Sequence, residues 1–203
     1  MTLESTLPQP ASTPRSLSQH LGHSILALFG WRFEMTDPGV KKYVLIGAPH
    51  TSNWDFILML LVMLAGKLPI RWLGKDTAFR GPLGLLMRAL GGIPVNRRER
   101  TRLVEQIANR FTQSESLIIA IAPEGTRSNS LHWKSGFYYM ALTANVPIVM
   151  GYLDYANRRC GLGPSFVPSG DIHADFEIIR DFYKDIRGKA PHKQGKIALA
   201  PDK

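Results

Sequence analysis

Apolar residues recur along this chain in two alternating rhythms. Leu17, Leu21, Ile25 and Leu28 stand three or four residues apart, with Ser18, His20 and Gly22 between them. That spacing predicts an amphipathic helix ending near Gly30. Short apolar runs then alternate with longer helical ones. Strands are expected at 43–48 (YVLIGA), 70–74, 92–96, 117–122 (LIIAIA) and 147–155. Helices are expected at 55–66, 82–91, 100–111, 135–145 and 171–186, the second opened by Pro82 and the last followed by a short edge element. Strand and helix alternate throughout, so the predicted fold class is α/β, a single domain with a largely parallel central sheet flanked by helices.

The segment before the first helix, residues 1–14, is rich in Pro, Ser and Thr and lacks the apolar stretch of a secretory signal. It reads as a disordered tail, with the folded domain over residues 15–203. No run reaches the roughly 18 apolar residues of a bilayer-spanning helix. The nearest, residues 56–66, is short and bounded by Asp55 and Lys67, so it reads as a buried helix or one whose outer face meets lipid. Cys160 is the single cysteine, which excludes an intramolecular disulfide and suits a reducing compartment. The net charge of +9 calls for an anionic partner: nucleic acid, anionic headgroups or a phosphorylated ligand. Nucleic acid has only the charge in its favour, because the chain carries no known binding motif and no interleaving of basic and aromatic residues.

Chemistry concentrates at two strand-to-helix junctions. In APHTSNWDF, residues 48–56, His50 and Asp55 are five apart. In one continuous helix they would lie about 140° apart around the axis, and in one strand they would face opposite ways. They converge only across a turn, which Pro49 and a helix start at Ser52 supply. Asp55 would then fix one ring nitrogen of His50 and leave the other to act as a general base. The competing reading is structural: Ser52-Asn-Trp-Asp55 also fits a capping box, in which the carboxylate serves the backbone. The second junction is Pro123-Glu124-Gly125-Thr126-Arg127-Ser128, directly after a buried strand. Loops at the C-terminal ends of parallel strands are where such sheets place ligands, and Glu124 with Arg127 offers an acceptor and a forked donor. An ordinary surface Glu–Arg pair on a turn is the alternative there.

At these residues the chain resembles the glycerolphosphate and lysophosphatidate acyltransferases. His50 and Asp55 match the first block of that family, a histidine and an aspartate with four residues between them. Residues 124–128 match its Glu-Gly-Thr-Arg-Ser block without a change, and GGIPVNR, ending at Arg97, matches the second block. VPIVMGY, residues 146–152, matches the fourth. Two departures are Pro94, where an aromatic or aliphatic residue is more usual, and Met150, where a second proline is often found.

The resemblance implies transfer of a fatty acyl group from acyl-CoA or acyl carrier protein to a hydroxyl of a glycerol-phosphate-type or lysophospholipid acceptor. His50 would be the base and Asp55 its partner. Arg97 and Arg127 would hold the acceptor phosphate, with Lys75 as a further candidate for that anion, and Glu124, Gly125 and Thr126 would complete substrate binding. Arg97 also reads as a solvated member of the RRER run at 97–100. No metal or resident cofactor is implied, and without a Gly-x-Ser-x-Gly elbow no acyl-enzyme is required. A non-catalytic, peripheral lipid-binding protein of the same fold is the alternative. The expected place is the cytoplasm, on the inner membrane surface, reached through basic side chains and the Leu17–Leu28 stripe. That stripe packing on the sheet instead is the other expectation.

Overall fold

Side chains alternate faces along a strand, and the second strand of this protein shows what that does to the core. In the computed structural model, which describes residues 15–95 and 100–200, Tyr43 and Leu45 enter one buried cluster, while Val44 and Ile46 enter another. Both faces of the strand are therefore covered, as expected where a parallel sheet lies between helical layers. The first cluster joins the sheet to helices α1 (Leu17–Leu28) and α2 (Trp54–Gly66) through Leu26, Leu58, Val62 and Ala65. The second joins it to α4 (Arg100–Gln113), α5 (Gly136–Ala144) and α6 (Ile172–Tyr183) through Phe111, Phe137, Phe176 and Ile179.

The sheet has seven strands: β1 (Arg32–Met35), β2 (Lys42–Ala48), β3 (Ile70–Lys75), β4 (Gly92–Val95), β5 (Leu117–Ile121), β6 (Ile148–Asp154) and β7 (Arg159–Phe166). Their order is β1-β7-β6-β2-β5-β3-β4, parallel everywhere except between β6 and β7. Between β3 and β4 stand a 3-10 turn, Asp76–Phe79, and helix α3 (Gly81–Ala89). After α6 the chain makes a 3-10 turn at Pro191–Lys193, and the expected edge element is a single bridge between Trp133 and Leu199.

The α/β class and the largely parallel sheet are as the sequence predicts. Two strands escape the pattern. β1 is four residues, RFEM, with no alternation, and β7 carries two glycines and Pro164. The two pair with each other at the sheet's edge, and β7 is fastened antiparallel to β6. Residues 1–14 and Arg97 lie outside the described residues.

Helix α1 faces both ways. Gly22 and Leu26 turn inward, and a Cβ at Gly22 would lie 2.6 Å from the Ala65 backbone nitrogen, so α1 rests directly on α2. Leu17, Leu21 and Leu28 point outward, 89%, 54% and 81% exposed. Of the expected stripe, these three leucines do not pack on the sheet and Ile25 is half-buried; the face that does pack runs through Gly22 and Leu26, outside the stripe.

Candidate active site

β2 and β5 are neighbours, parallel and in register over five pairs from Lys42↔Leu117 to Ile46↔Ile121, so their C-terminal ends open on one edge of the sheet. The His50 loop leaves β2 there, through a cis Ala48–Pro49 peptide, and the Glu124 loop leaves β5. The two junctions singled out in the sequence therefore meet in space.

They meet on His50. Its Nδ1 lies 3.1 Å from Asp55 Oδ2, and its Nε2 accepts a hydrogen bond from Arg127 Nε at 3.1 Å. A guanidinium can only donate, so Nε2 carries the lone pair and Nδ1 carries the proton that goes to Asp55. The ring is 24% exposed and its partner carboxylate 3%, so one edge of the imidazole is dry and the other faces the cleft. From behind, the His50 backbone N–H donates to Glu124 Oε1 at 2.9 Å.

Asp55 has a second set of contacts. Its Oδ2 also accepts from the backbone N–H groups of Thr51 and Ser52, each at 2.8 Å, while Ser52 Oγ accepts from Trp54 N at 3.2 Å. The carboxylate half of the expected capping box is therefore made, while the Ser52 hydroxyl serves Trp54 N instead of Asp55 N and Asn53, the residue just before α2, makes no side-chain cap bond. The Tyr155 hydroxyl donates to Asp55 Oδ1 at 2.7 Å. Burial works against the charged carboxylate, but hydrogen bonds from His50, Tyr155 and the Ser52 backbone outweigh it, and the group sits below its ordinary range.

Glu124 is pushed the opposite way. Its burial raises the carboxyl above the usual range, against the hydrogen bonds from its own backbone and that of His50. Only Oε1 is engaged; among the described residues Oε2 is buried without a hydrogen-bond partner. The sequence reading gives Glu124 to substrate binding, and the structure sets it behind the His50 loop, 6% exposed.

The remaining predicted residues border the same space. Gly125 turns the chain at φ +65, and Thr126 Oγ1 accepts from Ser128 N at 3.2 Å, which shapes the turn that presents Arg127. Lys75, at the end of β3, lines the cleft together with His50 and Arg127. That cleft has a volume of about 1350 Å³, with an apolar flank that includes Phe56, Met59, Val62 and Trp72. Sequence reasoning missed Tyr155. It lies a hundred positions from Asp55, and only the register of β6 beside β2 betrays it: Tyr152 pairs with Ala48, so three residues on the chain is level with the His50 loop.

A buried carboxylate, a histidine with its outer nitrogen deprotonated, and an arginine on a cleft at the carboxyl edge of a parallel sheet define an α/β enzyme equipped for proton abstraction. The sequence profile of the acyltransferase family matches residues 32–151, well over half the chain, and the protein belongs to that family. It is 32% identical over 131 residues to the human 1-acyl-sn-glycerol-3-phosphate acyltransferase beta, an alignment covering 60% of this chain and 46% of that protein. The chain thus spans about half the length of this relative. In structure it is similar to the 1-acyl-sn-glycerophosphate acyltransferase PlsC of Thermotoga maritima. The TM-score is 0.52 at 14% identity, over 83% of this chain and 74% of that one, a likeness of fold.

Proposed function

We propose that this protein transfers a fatty acyl group from a thioester, acyl-CoA or acyl carrier protein, to a hydroxyl of a glycerol-phosphate-type or lysophospholipid acceptor. One observation carries the proposal: His50 is clamped between Asp55 on Nδ1 and Arg127 on Nε2, with the lone pair turned to the cleft. In the reaction His50 Nε2 takes the acceptor's hydroxyl proton as its oxygen attacks the thioester carbonyl. The C–S bond then breaks, and the imidazolium returns that proton to the leaving thiolate. Asp55 stabilises the imidazolium meanwhile, and such a base contributes about 10²- to 10⁴-fold.

Arg127 has two roles in this scheme. Without acceptor its guanidinium covers His50 Nε2; an acceptor phosphate draws it off and frees the base. Arg97 and Lys75 add charge for the same phosphate, Gly125 and Thr126 shape the loop, and Glu124 braces His50 from behind. The lipid substrates are reached from the membrane surface. No helix among the described residues is long and apolar enough to cross a membrane, while exposed Leu17, Leu21 and Leu28 on α1 and Trp54 and Ile57 on α2 support a peripheral contact.

The test is incubation with a panel of acyl-CoA thioesters and lyso-lipids, read by mass spectrometry. Thioester-dependent acylated product that disappears in His50→Ala is expected. Binding to lipid without any product would favour the non-catalytic reading and overturn the proposal.

A further inference from the structure

Asp55 Oδ2 receives three donors: His50 Nδ1 and the Thr51 and Ser52 backbone N–H groups. Three bonds to one oxygen make a pivot, because the plane of the carboxylate can still swing about it. Oδ1 closes that freedom through the Tyr155 hydroxyl at 2.7 Å. The tyrosine is itself held at two points. Its backbone N–H donates to Arg187 O at 2.9 Å, and its ring stands edge-on to Trp31, with centroids 4.9 Å apart at 89°. Burial and the neighbouring Asp55 carboxylate push the phenol well above its ordinary range, so the hydroxyl donates across the working pH range.

We infer that Tyr155 is a positioning residue of the acyl-transfer site, which fixes the plane of Asp55 and, through it, the direction of His50 Nε2. The inference rests on the reaction proposed above, with His50 as base. It gives Tyr155 two separable effects. Orientation of the imidazole sets how often Nε2 points at the acceptor hydroxyl, which is a kcat effect. Charge is the second: a phenol bound to Oδ1 draws electron density from the carboxylate, and its removal leaves Asp55 a stronger partner for the imidazolium. The proton is then retained on Nε2 to higher pH. Among the described residues, the charged groups around the pair include Glu124, behind the loop, Arg127, at Nε2, and Lys75 and Lys134, which line the same cleft; Lys189 is nearby over the Trp54 ring. None of them is altered by a change at Tyr155.

Tyr155→Phe is the test, because it removes one oxygen and keeps the ring against Trp31. Expected are a fall in kcat of about tenfold with both KM values within about twofold, and an acidic limb of the kcat/KM profile displaced to higher pH. The His50 Nδ1 proton resonance should shift as well, a readout that needs no turnover. Tyr138→Phe is the matched control: it loses a similar bond, 2.8 Å to Asp175 Oδ2, on the opposite helical layer. It should lower Tm and leave the pH profile in place. If Tyr155→Phe superimposes on the wild type in kcat and pH profile while His50→Ala is inactive, the positioning role is overturned and the reaction stands. If His50→Ala keeps full turnover, both fall together.

Discussion

Replacing Asp55 by asparagine separates the charge that serves His50 from the acceptor that serves the helix. The amide oxygen must take the place of Oδ2, because the Thr51 and Ser52 N–H groups both point there at 2.8 Å. The amide nitrogen then takes the place of Oδ1, where the Tyr155 oxygen is able to accept from it. Every contact that holds the start of α2 survives, and only the negative charge beside His50 is lost. We predict that kcat falls about 10²- to 10⁴-fold, roughly 3–5 kcal/mol of transition-state stabilisation. Tm should stay within a few degrees of the wild type. Asp55→Ala should lose as much turnover and also leave two backbone donors without an acceptor at a site 3% exposed. Each costs about 1–3 kcal/mol, and the two together lower Tm by roughly 4–24 °C for a chain of this size. Initial rates from thiol release, paired with thermal melts, read both effects. The acid side offers a further check. A carboxyl held below its ordinary range contributes stability above that range and loses it as pH falls through the folded value, so the wild type should show an acid-dependent loss that Asp55→Asn lacks. Turnover retained within about twofold by Asp55→Asn, with a fallen Tm, would refute the catalytic role and leave only the cap.

The other predictions concern residues around this pair. Arg127→Ala should raise KM for phosphate-bearing acceptors by about 1.5–3 kcal/mol and leave phosphate-free acceptors little changed; an equal effect on both would show that Arg127 does not read phosphate. Glu124→Gln keeps an oxygen for the His50 N–H and removes a charge that burial opposes. Since that carboxyl is raised, its contribution is full at acid pH and is lost as pH climbs through the folded value, so the variant should match the wild type in acid and melt higher in alkali; parallel Tm curves would refute this. Leu21→Glu with Leu28→Glu, both outward on α1, should release the protein from anionic vesicles in a flotation assay while its melt is unchanged, and wild-type binding should weaken with added salt. Vesicle binding unaffected by the pair would move the membrane contact off α1.

How much of this was legible in the sequence depends on how local each signal is. β2, β3 and β5 are apolar runs, and α2 follows β2 at once, so pattern alone finds them. Edge strand β1 pairs on one side only and needs no continuous apolar run, and β7 is held through its backbone despite its glycines. His50, Asp55 and the 124–128 loop are visible because each is a short motif after a strand. The Tyr155–Asp55 contact joins residues 100 positions apart and the Glu124–His50 contact residues 74 positions apart; both are set by strand order, which no spacing encodes.

The sequence posed capping and catalysis as rivals for Asp55, and in the structure one carboxylate oxygen makes both sets of contacts. The turn that leads into α2 points the Thr51 and Ser52 N–H groups at Oδ2, the oxygen that also faces His50. Those donors favour the ionised carboxylate at a site where burial opposes it. A buried aspartate without the cap would lose part of what keeps it charged, and with it the ability to steady an imidazolium. Glu124 supplies the contrast within the same site. It is buried like Asp55 but receives only backbone N–H groups, its own and that of His50, with no side-chain donor, and burial drives it towards the neutral form. Two carboxyls flank one histidine, and the number of donors each receives sorts them: Asp55 holds the charge next to the ring, and Glu124 holds the backbone in place.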